Sequence, residues 1–116
     1  MTVSVNSIKD VTLIEIEGAI DSNTAPHVQQ KVLSATVNQH KVILDMTNVE
    51  YLSSAGLRML LLVYRQLKAQ NGNIALVGLS EEIKDVMTNT GFIDFFIVAD
   101  SRDSGMIALN GEPSRL

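Results

Sequence analysis

Cysteine is absent from the 116 residues. That excludes disulfides, thiolate metal sites and cysteine nucleophiles together, and it suits a reducing compartment. Aromatic residues make up only 4% of a chain that is 46% hydrophobic, and tryptophan is missing. The core must therefore be built mostly from Leu, Ile, Val and Met. Long hydrophobic runs are missing too: the longest, Met59–Tyr64, is far short of the roughly 20 residues that cross a bilayer. The opening MTVSVNSIKDV has no basic start followed by a long apolar stretch, unlike a secretory signal. A cytoplasmic location without direct membrane insertion is expected. Basic clustering is the last absence. Nine Lys and Arg are scattered singly in a chain of net charge −4, whereas a nucleic-acid binder needs a concentrated basic face, so no nucleic-acid partner is expected. Two histidines, His27 and His40, stand without cysteine and form no metal-ligand pattern; neither a metal nor a cofactor is expected.

What is present is alternation. Val3, Val5 and Ile8 read as one strand and Val11, Leu13, Ile14 and Ile16 as a second, with Lys9-Asp10 as the turn between them. Thr24 followed by Pro26 marks a helix start, and Val28, Val32, Leu33 and Ala35 give that helix one apolar face to about Val37. Lys41–Met46 reads as a buried strand, followed by a loop containing Tyr51-Leu52-Ser53-Ser54 and a long helix over about Ala55–Gln70. Asn71-Gly72-Asn73 stops it, Gly72 suiting a left-handed C-cap. Ile74–Val77 is the next strand, and Ser80 caps a helix with Glu81 and Glu82 in its first turn. Phe95–Val98 reads as a last strand and Ser101–Leu109 as a weak final helix. The order predicts an α/β fold, a mixed sheet with an N-terminal hairpin and a parallel centre, packed by about four helices. One domain is expected over residues 1–110, with 111–116 a frayed C-terminal tail.

The long helix carries the functional signal. At about 100° per residue, Leu57, Leu60, Val63, Tyr64 and Leu67 share a sheet-facing side, while Arg58, Arg65 and Gln66 face solvent. Met59 and Leu62 point outward among polar neighbours, either covered by another helix or forming a docking surface. Ser53 and Ser54 meet the helix N-terminus. A serine there most often just caps the helix; the same location has a second property, since its free N–H groups and positive dipole end favour an added phosphate. Ala55 and Gly56 keep the backbone accessible at this turn, and Arg58, one turn on from Ser54, is placed to reach a phosphoserine.

The stretch LSSAGLRMLL after VILDMTNVEY resembles the signature of STAS domains, specifically the stand-alone anti-sigma factor antagonists. The resemblance extends from the hairpin through EGAIDSNTAPHV to KDVMTNTGFIDFFIVAD. The family motif, Asp-Ser-x-Gly-Leu, matches Ser53-Ser54-Ala55-Gly56-Leu57, with Ser53 standing at the usual Asp position. The resemblance implies that Ser54 is the phosphorylated serine, that Asp21 is an acid near it, and that Asp45, at the end of the third strand, belongs to the phosphosite environment. It also implies a partner-switching cycle. The unphosphorylated chain binds an anti-sigma factor serine kinase and frees that factor's target. The kinase phosphorylates Ser54, and a PPM-type serine phosphatase resets the switch. A partner face made by Asp21, Ser53, Gly56, Arg58, Met59 and Leu62 is expected, on a monomer or weak dimer that is not itself an enzyme.

Each acid has a plainer reading, Asp21 as a cap for the helix near Thr24 and Asp45 as a bond to loop amides. A Ser-His-Asp hydrolase lacks support, since His27 and His40 lie on or beside the first helix, leaving the serines without a base, and G-x-S-x-G is missing; no G-x-G-x-x-G marks a dinucleotide site. The alternative within the same fold is an adaptor subunit of a transporter or lipid-trafficking complex.

Overall fold

The computed structural model describes residues 1–111. Its elements are β1 (Thr2–Ile8), β2 (Val11–Ile20), α1 (Ala25–Ala35), β3 (Lys41–Leu52), α2 (Ser54–Ala69), β4 (Asn73–Val77), α3 (Glu81–Asn89), β5 (Ile97–Ala99) and α4 (Arg102–Gly111), with a 3-10 turn at Phe92–Phe95 before β5. The strands form one sheet in sequence order. β1 and β2 are an antiparallel hairpin, and β2 to β5 run parallel. The mixed sheet with a parallel centre is therefore as the pattern predicts. Gly111, placed by the sequence reading in a frayed tail, closes α4; the rest of that tail lies outside the described residues.

Strand alternation divides the core into two layers. From β3, Val42, Leu44 and Met46 face a large core shared with Val28 and Val32 of α1, Leu57, Leu60, Val63 and Leu67 of α2, and Ile83 and Met87 of α3. Ile43 faces the other way, with Val11, Leu13, Ala75 and Val77, under Leu109 of α4. Each such Leu or Ile side chain, fully buried, contributes about 1.5–3 kcal/mol. The sheet-facing residues predicted for α2 are buried as expected, and Tyr64 packs at its margin against the rings of Phe95 and Phe96, 5.2 and 5.6 Å between centroids.

Three local readings are corrected. β3 does not end at Met46: it runs to Leu52, so Ser53 alone separates strand from helix. Two register shifts against β2, between Glu15 and Glu17 and between Gly18 and Ala19, insert extra residues into β3 and break its period-2 pattern. That is why Thr47, Asn48 and Glu50 look like a loop. After α2 the left-handed residue is Asn71, at φ 62°, not Gly72. Gly72 is needed for closeness: a Cβ there would lie 3.1–3.3 Å from Leu67 and from the Gln39 carbonyl. Finally, Phe95 belongs to the 3-10 turn, and the last strand is only Ile97–Ala99.

Candidate functional site

The parallel pair β2 and β3 ends in register, Ile20 beside Leu52, and the Ser53 amide donates to the Ile20 carbonyl at 2.9 Å. Consequently the turn leading into α1 and the start of α2 emerge side by side at the carboxyl end of the sheet, the usual location for sites in parallel α/β sheets. Each turn is pinned by its own side chains. Asp21 Oδ1 accepts the amides of Asn23 (2.9 Å) and Thr24 (3.0 Å). Thr24 Oγ1 accepts the Asp21 amide at 2.9 Å and donates to the Ala19 carbonyl at 2.7 Å. Thr24 stands at the N-cap but gives α1 no side-chain cap; that end is organised by Asp21. The bonds from the Thr24 and Asn23 amides hold the Asp21 carboxyl below its ordinary range.

The two serines have separate jobs. Ser53 is the N-cap of α2: its Oγ accepts the Gly56 amide at 3.3 Å and its carbonyl accepts the Leu57 amide at 2.9 Å. Ser54 is the first helical residue and exposed, and its hydroxyl has no hydrogen-bond partner among the described residues. Capping thus accounts for Ser53 and leaves Ser54 unaccounted for. Arg58, one turn along at i+4, is exposed and makes no ion pair among the described residues. Uncommitted backbone N–H groups and the positive end of the 16-residue α2 face the same solvent.

Two residues assigned to the partner face lie beneath it. Gly56 is buried, and a Cβ there would come within 2.5 Å of Leu52 Cδ1 and 3.2 Å of the Ile20 carbonyl. Its missing side chain lets α2 start directly on the strand ends, so it positions Ser54 without exposing backbone. Met59 does not point outward: at 1% exposure it belongs to the core. α1 packs along this flank of α2, which is the covering-helix alternative. Leu62 is 40% exposed and, with Arg58 and Ala55, borders a shallow depression whose other wall is Ser22, Pro26 and Gln29 of the α1 side. The sequence does not mark those three as site residues, because only the packing of α1 against α2 brings them to the site.

Asp45 is not part of the phosphosite environment. It lies seven residues before Leu52 along β3, roughly 20 Å at strand rise, and it points to the opposite face of the sheet, toward α4. There it accepts the Thr47 amide (3.0 Å) and hydroxyl (2.6 Å), and Arg102 Nε of α4 at 2.8 Å. Arg102 also pairs with Glu15. Burial pushes the Asp45 carboxyl up, but the Thr47 bonds and Arg102 outweigh it and hold the group below its ordinary range. Its loop-amide reading is the correct one, and its further role is to fasten α4.

A STAS domain model matches residues 2–105, and the chain belongs to the STAS domain family. It is 32% identical over 110 residues to BtrV of Bordetella bronchiseptica, which carries the name anti-sigma factor antagonist, covering 93% of this chain and 94% of that one. It is 30% identical over 82 residues to the anti-sigma-B factor antagonist of Listeria monocytogenes, covering 70% and 72%. Its fold matches the crystal structure of TM1081 of Thermotoga maritima, which carries the name anti-sigma factor antagonist, with TM-score 0.87 at 18% identity over 92% of this chain and 93% of that one.

Proposed function

We propose that the chain is an anti-sigma factor antagonist that works as a phosphorylation-controlled binding module, with Ser54 as its switch. The observation that carries this reading is the division of labour at the α2 N-terminus, where Ser53 caps the helix and Ser54 is exposed without a structural task. Unphosphorylated, the surface around Ser54, Arg58, Leu62 and the Asp21 turn binds an anti-sigma factor serine kinase, and the factor's target is released. The kinase brings Mg-ATP and the catalytic machinery. This chain supplies the Ser54 hydroxyl, whose oxygen takes the γ-phosphoryl group as the β–γ phosphoanhydride bond of ATP breaks and ADP leaves, while the hydroxyl proton goes to solvent or to a base of the kinase.

A phosphoserine adds about −1.5 to −2 charges. Within the chain the dianion meets α2's positive end and Arg58, so the helix tolerates it. Across the interface the same charge, beside the ionised Asp21, must be desolvated against a closely packed partner, and binding is lost. A PPM-type serine phosphatase restores the bare hydroxyl. No described helix is long and apolar enough to cross a membrane, and the cycle belongs in the cytoplasm, where ATP is available.

Binding of the purified kinase to wild type, Ser54→Ala and Ser54→Asp tests this. Wild type and Ser54→Ala should bind alike, and Ser54→Asp should bind at least a hundredfold more weakly, a loss of about 3 kcal/mol. Equal affinity of all three would refute the electrostatic switch.

A further inference from the structure

β1 is one edge of the sheet, paired to β2 alone over Thr2–Ile8. Natural edge strands are protected from pairing with other chains by shortness, charge, proline or a bulge. β1 has none of these. It is seven residues long, keeps an unbroken register with β2, and contains no charged residue and no proline. The opposite edge, β5, has three residues and is followed by Asp100. Exposed apolar side chains also gather at β1: Met1, Val5 and Ile8 are 42%, 45% and 38% exposed.

The direction of the free backbone groups follows from the hairpin. Its two-residue turn, Lys9-Asp10, makes Ile8 and Val11 a hydrogen-bonded pair, and the bonding alternates from there. Thr2, Ser4, Asn6 and Ile8 bond inward to β2, so the N–H and C=O groups of Val3, Val5 and Ser7 point out from the sheet. Val3 packs into the core on the α1 side, which assigns Val5 and Ser7 to the same face. Beside Val5, a groove opens against His27, Lys31 and Ala35 of α1.

We propose that β1 is a self-pairing edge: two copies of this chain join antiparallel about a two-fold axis at Val5, extending their sheets into one. This register puts Val5 opposite Val5 of the second copy, Ser4 opposite Asn6, Val3 opposite Ser7, and Thr2 opposite Ile8. Opposed residues share a face, and every outward N–H finds a carbonyl. The occupant is a second copy because the edge is complementary to itself and neutral. None of the chain's 13 Asp and Glu lies in Thr2–Ile8, so two molecules of net charge −4 meet here without opposed carboxylates. The contact is weak. Seven residues fall well below the roughly 20–30 residues per side of a stable interface, and the dimer dissociates on dilution. Ser54 follows β3, two strands in from this edge, so the joined sheet presents two switch sites and leaves both uncovered.

Sedimentation of the purified chain from about 10 µM to about 1 mM tests the proposal without any partner protein. Wild type should pass from monomer toward dimer over that range, a dissociation constant on the order of 100 µM. Val5→Lys, an exposed change of the kind that guards natural edges, should remain monomeric with an unchanged circular dichroism spectrum and melting temperature. Register is read by disulfide trapping, which the cysteine-free chain permits. Ser4 and Asn6 form a non-hydrogen-bonded pair with Cα atoms about 4.5 Å apart, close enough for a disulfide. Ser4→Cys mixed with Asn6→Cys should therefore cross-link under mild oxidation far faster than either variant alone. Wild type that stays monomeric throughout, as it would if the edge served only an acidic peptide of another protein reaching Lys31, overturns the proposal. So does a dimer indifferent to Val5→Lys, or one that traps Ser4 with Ser4 as readily as with Asn6.

Discussion

Ser53 Oγ accepts the Gly56 amide at 3.3 Å, and this one bond separates two adjacent serines into a cap and a free hydroxyl. Substitution reads the separation directly. Ser53→Ala should destabilise the domain by about 1 kcal/mol, the usual cost of losing a serine cap. Ser54→Ala should change stability by less than about 0.5 kcal/mol, as for an exposed residue with no bond to lose. Urea unfolding of the two variants beside wild type checks both.

Gly56→Ala reaches the same site from below. The added methyl would lie 2.5 Å from Leu52 Cδ1 and 3.2 Å from the Ile20 carbonyl. The first atom ends a flexible side chain, but the second is backbone, so α2 must shift. A loss of about 1–3 kcal/mol is expected from such overpacking, with weaker kinase binding through displaced Ser54. A melting temperature equal to that of wild type would contradict the close approach.

Much of the fold is legible in the sequence, and where it is not the cause is physical. The hairpin, the helix starts and the sheet-facing side of α2 follow from periods of 2 and 3.6 residues, which survive wherever an element has one buried face. The sequence pattern ends β3 early because two bulges shift its register against β2, so that Thr47, Asn48 and Glu50 break the alternation of a strand. A helical wheel puts Met59 outside because it shows one helix at a time, whereas α1 covers that flank once the chain is folded. Asp45 enters the site reading through the resemblance, which carries no distance; the full length of β3 sets Ser54 well beyond it, and α4 supplies Arg102 on the other face. The resemblance points to Ser54; residue chemistry alone leaves open which serine caps, and the Ser53–Gly56 bond answers that.

Acid should weaken the hold on α4. The Asp45 carboxyl is held below its ordinary value of 3.8 in the folded chain. A depressed folded pKa means the unfolded state takes up protons first as pH falls. The contribution of Asp45 is therefore complete at neutral pH and declines below about pH 4, vanishing as pH passes through the lower folded value. Asp21, also depressed, adds to the same window. Asp45→Asn should flatten the stability profile between about pH 4 and pH 2 relative to wild type, measured by urea unfolding at each pH; an unchanged slope would place the acid sensitivity elsewhere.

Arg58 separates phosphate tolerance from partner contact. In the phosphorylated chain, Arg58→Ala should remove a charge-assisted contact of about 1.5–3 kcal/mol at most, reduced by exposure. The phosphorylated variant should melt below the phosphorylated wild type, while the unphosphorylated pair should melt together. A difference confined to the unphosphorylated pair would show that Arg58 serves the bare fold.

The most direct measurement is site mapping by mass spectrometry after incubation with the cognate kinase and Mg-ATP. Wild type and Ser53→Ala should each gain one phosphate, located by fragmentation on Ser54, and Ser54→Ala should gain none. A phosphate on Ser53, or labelling of Ser54→Ala to the wild-type extent, would contradict the assignment of the switch to Ser54.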